Sequence, residues 1–67
     1  MTDVVTDLSE FDLPFRRKAI LRWVEFDSGL VMTRLVLREG HRITQVDFDS
    51  ETALALGEAL VGAATRD

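Results

Sequence analysis

The chain has 67 residues, a formal net charge of −4, one His and no Cys. These numbers exclude disulfides, thiolate metal sites and an imidazole cluster, and they argue against a dedicated nucleic-acid binder, whose affinity comes mostly from neutralised phosphates. A domain this short buries only about 60% of its unfolded surface, so a second subunit is the remaining supplement to its stability.

Residues 1–12 mix Asp and Thr with a few apolar side chains. They read as a flexible or conditionally ordered arm. The stretch is acidic and lacks the basic and apolar regions of a signal peptide. No apolar run approaches the ~20 residues of a membrane span, so a cytoplasmic setting is expected. Pro14 favours extended backbone at the residue before it. The charge then changes sign at Arg16, Arg17 and Lys18.

Residues 13–67 read as a single domain. The first strand is Lys18–Phe26, rich in β-formers such as Ile20, Trp23, Val24 and Phe26. Asp27-Ser28-Gly29 is a turn, with Gly29 suited to a left-handed residue. The second strand is Leu30–Arg38, followed by a turn at Glu39-Gly40, and the third is His41–Phe48. Asp49 is placed to cap a helix, with Glu51 in its first turn. Ala53, Leu56, Gly57, Leu60 and Ala64 form one apolar stripe, on which Gly57 would let the helix sit close to the sheet. The expected fold is α+β: a three-stranded antiparallel β-meander followed by one C-terminal helix packed on one face (β-β-β-α), preceded by an extended N-terminal arm.

Side chains alternate along strands, so the loops decide which residues share a face. A three-residue loop at Asp27-Ser28-Gly29 pairs Val24 with Met32 and Arg22 with Arg34. A two-residue loop at Glu39-Gly40 pairs Leu35 with Thr44 and Thr33 with Val46. One face then carries Ala19, Leu21, Trp23, Val31, Thr33, Leu35, Leu37, Val46 and Phe48, and it is the partner of the helix. The other carries Ile20, Arg22, Val24, Phe26, Leu30, Met32, Arg34, Val36, Arg38, Ile43, Gln45 and Asp47. A two-residue turn at Ser28-Gly29 would flip the first strand and move Leu21 and Trp23 outward. Either way the outer face is half apolar and bears Arg, where a wetted sheet would be mostly polar. Arg22 opposite Arg34 needs a nearby acidic group, with Asp47 and Glu25 as candidates.

A contiguous apolar patch on a small protein marks an interface. The expected interface is Ile20, Arg22, Val24, Phe26, Leu30, Met32, Arg34, Val36, Ile43 and Gln45. Its expected occupant is a second copy or a larger protein partner. The alternative is a dimeric single-stranded nucleic-acid binder using Arg16, Arg17, Arg22, Arg34, Arg38 and Arg42, with Trp23 or Phe26 stacking on bases. No catalytic residue, cofactor or metal is expected. Asp47, Asp49 and Glu51 lack the glycine and distal glutamate of a calcium loop, and His41 has no Ser or Cys beside it in a turn.

Leu13–Phe15, Ser28-Gly29, Arg34–Gly40, Arg42–Thr44 and Asp47–Ala53 together resemble very short, uncharacterised bacterial proteins. Those read Leu-Pro-Phe, a strand, a Ser-Gly turn, an "LRxRIREGxRFT" strand pair and an acid-capped helix. That resemblance implies no known activity. The meander-then-helix order is also similar to the single-strand-binding transcriptional coactivator domain, which dimerises and grips DNA on its sheet. These readings together lead to an expectation of a small non-enzymatic interaction module or accessory subunit, pairing through its outer sheet face as a homodimer.

Overall fold

The computed structural model describes residues 2–66. Four strands, β1 (Val4–Leu13), β2 (Arg17–Glu25), β3 (Val31–Glu39) and β4 (Arg42–Phe48), precede one helix, α1 (Ser50–Ala64). The strands form one antiparallel sheet in the order β1-β2-β3-β4. The expected three-stranded meander is therefore corrected to four strands, and most of the expected arm is the edge strand β1.

The acidic residues of β1 disguise it, because Asp, Glu and Ser are depleted in strands. Pairing with a basic neighbour changes their effect. Asp7 stands opposite Arg22, and Asp12 opposite Lys18. Charged side chains also suit an edge, where they discourage further strand addition. A bulge between Asp7 and Ser9 inserts Leu8. The extra residue keeps Phe11 and Leu13 on the helix side while Asp7, Glu10 and Asp12 stay on the outer side.

The β2–β3 loop is the expected one. Phe26 N–H donates to Leu30 O and Gly29 N–H to Phe26 O, both at 2.8 Å, with Gly29 at φ 92°. Val24 pairs with Met32 and Arg22 with Arg34. At the second turn Glu39 pairs with Arg42, so the two loop residues are Gly40 and His41 rather than Glu39 and Gly40. Gly40, at φ 60°, takes the left-handed first loop position that a side chain would resist. The register slides by two residues, so Leu35 meets Val46 and Thr33 meets Phe48. An even slip leaves every side chain on its expected face.

Asp49 caps α1, its Oδ1 accepting from Thr52 N–H at 3.1 Å. The helix lies against β3 and β4 and buries none of its residues. A helix is about 10–12 Å across and strands lie about 4.8 Å apart, so one helix covers about half of a four-stranded sheet. The resulting shape is a plate of 46 × 30 × 15 Å with a radius of gyration of 13.5 Å, against about 11 Å for a compact chain of this length. Its accessible surface is 5547 Å², where a compact 7.6 kDa monomer exposes about 4,300 Å².

Candidate interaction site

On the outer face one row runs straight across all four strands: Asp7, Arg22, Arg34, Asp47. The like-charge pair at its centre is flanked by a carboxylate on each side. Arg22 Nε donates to Asp7 Oδ1 at 2.8 Å. Arg34 donates twice to Asp47, from Nε at 2.8 Å and from Nη2 at 3.2 Å. The acidic group that this pair demands is thus supplied within the chain, by Asp47 and by the unforeseen Asp7, and not by Glu25.

Apolar residues lie in the neighbouring rows. Val24 is 0% exposed, Val36 5% and Ile20 9%. Lys18, Arg22 and Arg34 share this face, and side chains of this kind cover apolar neighbours with their methylene stems while their charges stay in water. Three of the ten expected interface residues are accordingly the interior of the protomer. Phe26 and Met32 are half-buried. Leu30 and Ile43, 57% and 60% exposed, lie toward opposite ends of the sheet, and Gln45 is exposed on the edge strand β4.

The Arg34–Asp47 pair gives acid stability a definite sign. The hydrogen bond from Arg34 holds the Asp47 carboxyl below its ordinary value of 3.8. A carboxyl depressed in the folded state stabilises the fold above its unfolded pKa, and that contribution is lost as pH falls through the lowered folded value. Asp49 is depressed in the same way, chiefly by its hydrogen bond with Thr52. Asp47→Asn should therefore lower thermal stability at neutral pH and flatten its loss below about pH 4. Melting temperatures measured across the acid limb check this.

The expected nucleic-acid residues do not form one surface. Trp23 faces the helix side, in line with Ala19 and Leu21. Arg22 and Arg34 belong to the outer ion-paired row. Arg16, Arg17, Arg38 and Arg42 gather where the two end turns meet, and there Arg17 pairs with Glu39 at 2.6 Å. Asp47 is held by Arg34 and Asp49 caps the helix, while His41 is exposed in its turn.

The open apolar surface is on the helix side. Between sheet and helix lies a cleft of about 340 Å³, lined almost wholly by apolar side chains that include Phe11, Leu21, Leu35, Phe48, Leu56 and Leu60. Phe11 is 50% exposed and Trp23 37%. Along the helix Leu54, Leu60 and Val61 are 65%, 62% and 64% exposed. Gly57 does not serve a close approach to the sheet, since a Cβ there would meet nothing within 4 Å. The sequence did contain the signal for this surface: apolar residues at Val4, Leu8, Phe11 and Leu13 that a helix already committed to β3 and β4 cannot cover.

A flat meander with one ion-paired face and one half-covered apolar face defines a small α+β protein with an apolar cleft on its helix side. The chain belongs to the family described as "Family of unknown function (DUF6967)", whose model matches residues 2–66. Neither a curated protein nor a solved structure matches it.

Proposed function

We propose that this protein is a small non-enzymatic interaction module that works as a homodimer, closing the helix-side cleft of each copy against the other. The observation that carries this reading is the exposed surface. It exceeds that of a compact monomer by about 1,200 Å², more than the ~800 Å² that each partner contributes to a standard interface. Many of the exposed large apolar side chains are on the helix side, among them Phe11, Trp23 and Leu60. In this arrangement the helix of one copy covers the β1–β2 half of its partner's sheet, which its own helix leaves open, and each sheet gains its second layer.

A cytoplasmic setting and an accessory role on a larger assembly are part of the same reading. Among the described residues no helix is long and apolar enough to cross a membrane, and no polar or charged side chain is buried. A single-strand-binding role on the sheet is less well supported, because Arg22 and Arg34 already face carboxylates.

The single tryptophan tests the proposal. Trp23 borders the open half of the apolar face, so its emission should be blue-shifted in concentrated solution and move to the red on dilution through the dissociation constant. An emission maximum that stays constant from nanomolar to submillimolar protein would refute pairing on this face.

A further inference from the structure

Two turns meet at one end of the sheet, residues 14–16 between β1 and β2 and Gly40-His41 between β3 and β4. There Asp12, Arg16, Arg17, Lys18, Arg38 and Gly40 border an open hollow of about 380 Å³. Four of these six are cations, in a chain whose net charge is −4. Lys18 stands directly opposite Arg38, the second like-charge pair on the outer face. The first, Arg22 with Arg34, is neutralised from both sides.

Here the neutralisation is one-sided. Lys18 has Glu10 at 3.0 Å and Asp12 at 3.7 Å, and Arg17 has Glu39. On the far side Arg38 faces Ile43. Among the described residues neither Arg38 nor Arg16 has a carboxylate within 4 Å.

The backbone adds a second, independent observation. Phe15 and Arg16 hold φ of 64° and 60°, successive left-handed positions that cost non-glycine residues about 1–2 kcal/mol each. Such strain clusters at binding sites, where the surrounding structure holds it in place. Here it carries Arg16 to the rim of the hollow. Gly40 takes its left-handed φ of 60° at the rim, where the surrounding space is open. A planar guanidinium can bind a phosphate through two parallel hydrogen bonds, where a Lys ammonium acts as a point charge.

We propose that this hollow binds a phosphate-bearing ligand, with Arg16 and Arg38 donating hydrogen bonds to its oxygens. Asp12, on the Lys18 side, confines the ligand's charge to the Arg16–Arg38 side. The hollow shares only Leu13 with the lining of the helix-side cleft, and Arg16 and Arg38 are not part of that cleft, so the proposal does not depend on the homodimer reading.

The test uses the full chain at low ionic strength, with backbone amide NMR shifts as the readout. Inorganic pyrophosphate should give saturable shifts at Arg16, Arg38 and Gly40 with a dissociation constant in the millimolar range or below. Arg16→Gln and Arg38→Gln, both at exposed side chains, should each weaken binding by about tenfold, while Arg66→Gln should not. A parallel arm uses vesicles bearing a phosphatidylinositol phosphate. Binding to these that requires Arg16 and Arg38 and exceeds binding to pyrophosphate assigns the phosphate to a lipid headgroup; the reverse order assigns it to a free phosphate compound. The proposal is overturned if neither probe gives saturable binding, or if the double variant binds as the unaltered protein does.

Discussion

Leu60→Glu should leave a folded chain that no longer pairs. Leu60 is 62% exposed within the protomer, so the substitution removes little from the monomer. In the dimer the same side chain is buried twice, once from each copy. Losing the transfer of two leucines, each 62% exposed in the protomer, costs about 2–4 kcal/mol, and a buried carboxylate adds to that, so dimerisation should weaken by more than about 100-fold. Leu30→Glu is the matched control. Leu30 is about as exposed, at 57%, but lies at an end of the outer face that the proposed dimer leaves in solvent. It should keep the unaltered molar mass. If Leu30→Glu dissociated the protein and Leu60→Glu did not, pairing would lie on the outer face.

Val24→Asp has the largest expected effect on folding. Among the described residues Val24 alone has a fully buried side chain, although it sits on the face without a helix. Burying a carboxylate there without a partner costs several kcal/mol. The total stability of a chain this short is about 3–10 kcal/mol, so the cooperative urea transition should disappear. Val24→Ala, which loses transfer energy and leaves a small cavity, should cost about 2 kcal/mol and keep the transition. A Val24→Asp protein with an unchanged midpoint would show that the outer face is not an interior. The same burial means that Val36→Glu, at a residue 5% exposed, probes the core rather than an interface.

Much of the sheet was legible because period-two patterning survives errors of register. Gly29 marked the β2–β3 loop but left two loop lengths open, and it is the three-residue loop of the structure that puts Trp23 on the helix side. The β3–β4 loop was misplaced by one residue, yet the pairing slid by two and no face changed. Asp49 announced the helix by the chemistry of its cap. The first strand was not legible. Asp7, Glu10 and Asp12 look like solvated charge until Lys18 and Arg22 are placed opposite them, and such pairing is tertiary information.

That omission also bears on the choice of the open face. With three strands, one helix suffices for its own side and the Arg-bearing side is left over. With four, the outer face gains Asp7 to balance Arg22, and the helix falls short of β1 and β2. The Arg22/Arg34 conflict was visible as a demand for counter-charge. Its resolution within the chain was only half visible, through Asp47.

The central claim is that the apolar helix side is completed by a second copy. Sedimentation equilibrium of the unaltered protein over a wide concentration range tests it most directly. A molar mass of twice 7.6 kDa, falling toward the monomer value on dilution in step with the red shift of Trp23, is the predicted result. A single 7.6 kDa species at every concentration would contradict it.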